Sequence, residues 1–195
     1  MKSAKKILKP RDKIRFLLLD FPADHEVDDF LLTESQVIKS LLSNAGNRTR
    51  LIRCSSMKRF KEVKWRPMPA VTYVHIAGHG NPLAIEMIDG KIPWPTLAKK
   101  LKIAMPPLKK GQKRVLTLSC CFSENAFKLL KKDLVGHFTG CYRINRKRAN
   151  FDDAMTVWLM FYNRKRLDLP HGAIVEKVNS FFARKKDLLA FHGVK

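Results

Sequence analysis

Acid is scarce in this chain. Against 39 Lys and Arg it carries 17 Asp and Glu, a formal charge of +22 at pH 7, so a nucleic acid or another polyanion is a natural partner for its surface. Cysteine is scarce as well: Cys54, Cys120, Cys121 and Cys141 are the four in 195 residues. They are too few and too irregularly spaced for a disulfide framework, and no Cys-x-x-Cys or Cys/His cluster offers a zinc site. A reducing cytoplasm is the expected setting, with no metal and no cofactor. Long apolar runs are missing. The stretch "IRFLLLDF" follows the basic "MKSAKKILKPRDK", but it is too short for a signal peptide and has no small-residue cleavage site. Nothing approaches the ~20 apolar residues of a membrane span, so no membrane partner is expected. Repeats, low-complexity segments and linkers are absent too. At 45% hydrophobic content the expectation is one compact domain over 14–195 behind a basic tail at 1–13.

The positive charge is spread along the chain. It recurs in "NRTRLIRCSSMKRFKEVKWR", "YRINRKR", "NRKRL" and "ARKK", with no helix-turn-helix, zinc-finger or aromatic-basic RNA-binding signature. This pattern reads as a solvated basic surface, on which nucleic-acid binding is expected to be non-specific.

Hydrophobic spacing gives the elements. "IRFLLLD" (Ile14 to Asp20) is apolar on both parities, as a strand covered on both faces would be. "LTESQVIKSLLSNAG" predicts a helix with Leu32, Gln36, Val37, Leu41 and Leu42 on one face, Thr33 as cap and Gly46 as stop. "TRLIRC", "VTYVHIA" and "RVLTLSC" read as further strands, and "GHFTGCYRI" as a fifth. "WPTLAKKLK", opened by Pro95, and "SENAFKLLKKDL", with Ser123 as cap, read as amphipathic helices. So do "FDDAMTVWLMFYNRKRL" and "HGAIVEKVNSFFARKKDLLAFH". Strands alternating with helices imply an α/β fold, a mostly parallel sheet of about five or six strands flanked by helices.

In such a sheet, functional groups gather beyond the carboxyl ends of the strands. His79 and Gly80 follow the third strand in "YVHIAGHG", and "SCCF" follows the fourth. If these strands are neighbours, an imidazole meets a thiol. A thiolate is a competent nucleophile, a nearby histidine can activate it and carry the proton to a leaving group, and a glycine lets a carbonyl approach the backbone. The plainer reading stands beside this one: a histidine that ends a loop, and a cysteine pair packed as small hydrophobes. A tyrosine-phosphatase loop does not fit, because the Cys-x5-Arg position is filled by Phe60, Phe127 and Lys147 after Cys54, Cys121 and Cys141. His25, His75, His137, His171 and His192 have no comparable context and read as structural or surface residues.

The pair "YVHIAGHG" and "VLTLSCCFS" resembles the His-Gly and Leu-Ser-x-Cys motifs of CHAT domains, members of the caspase-hemoglobinase group of cysteine peptidases. The resemblance covers roughly Ile14 to Phe182 and extends to "LAIEMIDGKIPWPTLAKKL" after the His-Gly. It implies a caspase-like three-layer sandwich. It also implies His79 as the catalytic histidine, Cys121 as the nucleophile, and the backbone N–H groups of Gly80 and Cys121 as an oxyanion hole. Cys120 stands where the family pattern has a small residue, and the Leu118-Ser119-x-Cys frame selects Cys121. Glu124 stands in place of a common glycine.

The loop "DFPADHEVDDF" concentrates Asp20, Asp24, Glu26, Asp28 and Asp29 in an otherwise basic chain. A solvated acidic loop that balances its neighbours is sufficient to explain it. In the resembled families this loop and the residue two before the cysteine, here Ser119, line the substrate pocket. Asp24, Glu26, Asp28 and Asp29 would then favour Lys or Arg before the cut. The expectation is a cytoplasmic cysteine endopeptidase acting on a protein substrate in a regulatory or defence pathway, with an activating protein as a further partner. The alternative is a catalytically inactive CHAT-like basic module that binds nucleic acid or an acidic protein.

Overall fold

The computed structural model describes residues 14–22, 34–144, 150–165, 169–182 and 187–194. The basic tail at 1–13 lies outside them. The strands are β1 (Phe16–Phe21), β2 (Thr49–Arg53), β3 (Tyr73–Gly78), β4 (Ala84–Met87), β5 (Gly90–Pro93), β6 (Val115–Ser119), β7 (Gly140–Ile144) and β8 (Leu189–Gly193). The helices are α1 (Glu34–Asn44), α2 (Met57–Glu62), α3 (Trp94–Ala104), α4 (Ser123–Leu134), α5 (Phe151–Lys165) and α6 (His171–Phe181). The fold is α/β, as the alternation of elements predicts. Six strands form one sheet in the order β2-β1-β3-β6-β7-β8, and β4 and β5 form a separate hairpin. Every pairing in the large sheet is parallel except β7 with β8.

Helices cover both faces because the central strands are apolar on both parities. Leu17, Leu19 and Phe21 of β1 join Val74, Ile76, Leu116, Leu118 and Cys120 in a core closed by α3, α4 and the β4–β5 hairpin. Phe16 and Leu18 point the other way, into a core with Ile38 and Leu42 of α1, Val157, Trp158, Phe161 and Tyr162 of α5, and Ile174 and Val178 of α6. Consecutive strand residues alternate between faces, so the period-two rule assigns each side chain to one layer.

Several local expectations change in three dimensions. The helix predicted over "HGAIVEKVNSFFARKKDLLAFH" stops at Phe181, and Leu189–Gly193 becomes the antiparallel strand β8. The Asn179 side chain imitates a strand backbone here: Leu189 N donates to its Oδ1 at 2.8 Å and its Nδ2 donates to Leu189 O at 2.9 Å. These bonds satisfy the backbone of Leu189 at the start of β8, and β8 in turn pairs with β7. Neither the β4–β5 hairpin nor the short α2 was predicted. The buried residues of α1 are Glu34, Ser35, Ile38 and Leu42. Gln36 and Val37 are only partly covered, and the proposed cap Thr33 lies outside the described residues. Gly46 does end the turn after α1, at φ +74°, with Gly46 N bonded to Ser43 O and Asn47 N to Leu42 O at 2.9 Å each, a Schellman arrangement. Ser123 does not cap α4. Phe122 holds the cap position without a side-chain bond, and the Ser123 hydroxyl donates to Ile144 O at the end of β7.

At the opposite end of the sheet Arg114 is fully buried. It donates to Val71 O at 3.0 Å, Pro106 O at 2.8 Å and His137 O at 2.9 Å. Burial lowers the guanidinium to about 10, which leaves it charged at neutral pH. It ties together the segments that lead into β3, β6 and β7, away from the carboxyl-end loops.

Candidate functional site

The register of β3 and β6 brings the two predicted loops together. Ala77 pairs with Ser119, and His79 and Cys121 each stand two residues farther along their chains. Two glycines permit the approach. A Cβ on Gly78 would lie 2.5 Å from the Phe21 carbonyl oxygen, and Gly78 has φ +153°. A Cβ on Gly80 would lie 2.4 Å from the Cys121 carbonyl oxygen and 3.0 Å from Cys120 Cβ. The loop after β3 therefore rests directly on the loop after β6.

What holds the histidine loop is the hairpin that sequence reasoning missed. Glu86 N donates to His79 O at 2.7 Å, and Gly80 forms a bridge with Ile85. Asn81 closes the turn: its Oδ1 accepts from Leu83 N at 2.9 Å and Ala84 N at 2.8 Å, and its Nδ2 donates to Glu86 Oε1 at 2.7 Å. Trp94 Nε1 adds a bond to Asn81 O at 3.2 Å. The "GHGNP" spacing held this signal, since Asn after Gly commonly organises a turn through its side chain. The imidazole of His79 is exposed at the sheet edge.

The four thiols are all free, and their surroundings differ. Cys54, Cys120 and Cys141 are buried, whereas Cys121 is only partly covered. Desolvation pushes the Cys54 thiol up to about 12. Burial likewise raises Cys120, helped by the neighbouring Cys121 and Glu34, and raises Cys141 against the pull of Arg143. Cys120 belongs to the α3–α4 core with Leu118. Directly after Cys121 the chain turns through Phe122 at φ +55°, a left-handed conformation that costs a non-glycine residue roughly 1–2 kcal/mol. This tight passage from strand to helix sets Cys121 at the head of α4, a geometry that projects a side chain beyond a sheet edge.

Beneath the two loops, on the α1–α5 face, lies a buried polar column. Glu34 Oε1 is 2.7 Å from His75 Nε2, and Ser119 Oγ donates to Glu34 Oε2 at 2.8 Å. His75 Nδ1 is 2.8 Å from Thr117 Oγ1 and 3.1 Å from Tyr162 OH, which are themselves 3.0 Å apart. Burial raises the Tyr162 phenol above its usual range. His75 pairs with Thr117 and Ala77 with Ser119 in the ladder, so the column climbs the strands toward His79 and Cys121. His75 is thus structural, and Glu34 is a residue whose importance no sequence signal marked.

Of the predicted pocket residues, Ser119 lies among the described ones. Ser119 is 6% exposed and directs its hydroxyl to Glu34, so that hydroxyl is engaged inside the protein. Asp24, Glu26, Asp28 and Asp29 lie outside the described residues. Asp20 is buried at the end of β1, with Oδ2 3.5 Å from Arg53 Nε. Glu124 is exposed on the first turn of α4, where a 3.0 Å contact with Lys128 and then the nearby Arg143 hold its carboxyl below the usual range. Among the described residues no group of three or more His, Cys, Asp and Glu is placed to hold a metal ion, and no helix is long and apolar enough to cross a membrane.

Comparison with protein-family models and with curated proteins finds no match.

The contact at Gly80 makes a direct test of the site. Gly80→Ala must displace the Cys121 carbonyl, and a misplacement of about 1 Å in a reacting geometry can cost ~10²-fold. If the site is catalytic, the expected result is a loss of that order in kcat/KM together with a lower melting temperature, since the clash is with backbone. An unchanged kcat/KM would show that the two loops need not stay in contact for turnover.

Proposed function

We propose that the chain is a cysteine endopeptidase of the caspase-like class, with Cys121 as nucleophile and His79 as its proton carrier. The observation that carries this reading is the meeting of the His79–Gly80 and Cys121 loops at the carboxyl ends of the neighbouring parallel strands β3 and β6. The partial exposure of Cys121 among otherwise buried thiols supports it, as does a sheet covered by helices on both faces, the layout that the CHAT resemblance implies.

The chemistry assigns each group a step. The Cys121 thiolate attacks the scissile carbonyl carbon, and the oxyanion that forms would be met by the N–H groups of Gly80 and Cys121. The His79 imidazolium gives its proton to the departing amine as the C–N bond breaks, leaving a thioester on Cys121. Water, relieved of a proton by His79, then attacks the thioester. The tetrahedral adduct collapses to release the carboxyl product and restore the thiol.

The substrate class in this reading is a protein cut after Lys or Arg. An acidic pocket wall would pair bidentately with Arg and as a point charge with Lys. The acids Asp24, Glu26, Asp28 and Asp29 would supply the charge. Four free thiols accord with work in the cytoplasm. Incubation with a peptide library and mass spectrometry of the products tests the reading: cleavage after Lys and Arg is expected, and a preference for Asp or Leu would refute the specificity. Absence of any cleavage, with or without an activating protein, would favour the inactive binding module.

A further inference from the structure

A strongly basic concavity runs along β2, two strands away from β3, whose end carries His79. Two depressions share Arg53, Arg59 and Glu62 and form one groove between the β2 edge and α2. Among the described residues its cations are Lys39, Arg50, Arg53, Lys58, Arg59 and Lys64, against Glu62 as the one acid. Arg53 approaches Asp20, and Arg59 lies 3.8 Å from Glu62. Lys39, Lys58 and Lys64 are exposed, so the groove keeps a strong positive excess.

Among the described residues β2 pairs with β1 alone. Its outer edge offers a row of backbone donors and acceptors at strand spacing, which an added extended chain can satisfy. Leu51, Ile52 and Val63 line the same groove and are partly covered, which gives such a chain apolar seats between the charges. Among the described residues no aromatic side chain lines the groove, so these residues offer none of the stacking platforms on which single-stranded nucleic acid depends.

From these features we infer that the β2 edge and α2 form a docking site for an extended acidic segment of a partner protein, which adds as a strand beside β2 while its carboxylates meet Lys39, Lys58 and Lys64. The site is separate from the cysteine chemistry and does not rest on the peptidase reading.

The test uses the full chain with Cys121→Ala, so that no peptide is consumed. The probe is a short fluorescent peptide of alternating Glu and Val at physiological salt. Two N-methylated versions, one for each parity of backbone amide, and a thymidine oligonucleotide of equal charge serve as comparisons. The triple reversal Lys39→Glu, Lys58→Glu and Lys64→Glu is expected to weaken the peptide roughly ten- to a hundredfold. Reversal of the exposed Lys99, Lys102 and Lys132 should have little effect. One N-methylated parity should lose binding and the other keep it, because only one set of amides faces β2. Equal binding by both N-methylated peptides would overturn the strand-addition mode. Equal weakening by the two triple reversals would overturn the location. Tighter oligonucleotide binding, lost in the same triple variant, would replace the partner with nucleic acid. Should the first reversal fail to fold, the N-methylated pair still decides the matter on the unreversed chain.

Discussion

Cys121→Ala is expected to abolish both peptide turnover and labelling by an electrophilic peptide, whereas Cys120→Ala keeps both. The adjacent thiols occupy opposite environments. Cys120 is buried in the α3–α4 core, where desolvation raises it far above the range in which a thiolate forms at neutral pH. Cys121 is partly open and leads into the turn at Phe122. Loss of a covalent nucleophile commonly costs ~10⁴–10⁶ in kcat, while Cys120→Ala removes a buried side chain and should lower stability by about 1–2 kcal/mol. Alkylation of the native chain at mildly alkaline pH, read by intact mass, should add one label, and the denatured chain should add labels at all four cysteines. His79→Ala should lower turnover by ~10²–10⁴ and leave the fold intact, since its ring is exposed. Labelling that follows Cys120 instead would sink the Leu-Ser-x-Cys frame. Identical behaviour of the wild type and Cys121→Ala in every assay would favour the binding module.

The second large effect is on stability. Glu34→Ala is expected to cost about 2–5 kcal/mol, since it strands two buried hydrogen-bonding groups at about 1–3 kcal/mol each. Its carboxylate is 5% exposed and serves two buried groups, His75 Nε2 and the Ser119 hydroxyl. Without it both are stranded in a site that water does not reach. Ser119→Ala leaves the contact of Glu34 with His75 in place but takes one partner from a buried carboxylate oxygen, so a smaller loss of about 1–3 kcal/mol is expected. Urea denaturation separates the two through the midpoint at constant slope. A Glu34→Ala cost under ~1 kcal/mol would show that the column does not brace the sheet. A large loss of turnover in Ser119→Ala, with near-native stability, would show that the column also positions the Cys121 loop.

How much of the site could be read in advance depends on the range of the forces involved. His79, Gly80, Ser119 and Cys121 stood out because they end apolar runs, and strand ends are local features. Their meeting required only that β3 and β6 be neighbours, which the ladder from Tyr73 and Val115 to Ala77 and Ser119 provides. Asn81 was present in the quoted motif but unread. Its work is visible only once the hairpin that it closes is formed. Glu34 was further out of reach. Its bonds to His75 and Ser119 join residues 41 and 85 positions apart, and Tyr162 meets His75 across 87. No spacing rule of helix or strand connects such distances.

The amino-acid sequence by itself determined the apolar strands β1, β3 and β6, the alternation that makes an α/β fold, and the placing of a histidine and a cysteine at two strand ends. These follow from periodicity and from turn residues, which act over a few positions. Only the tertiary structure decided that Leu189–Gly193 is a strand, that Ser123 serves β7 rather than capping α4, and that Ser119 bonds Glu34. In each case a backbone or buried polar group had to find its partner in a distant segment. The cost of leaving such a group unpaired outweighs a local preference of a few tenths of a kcal/mol per residue.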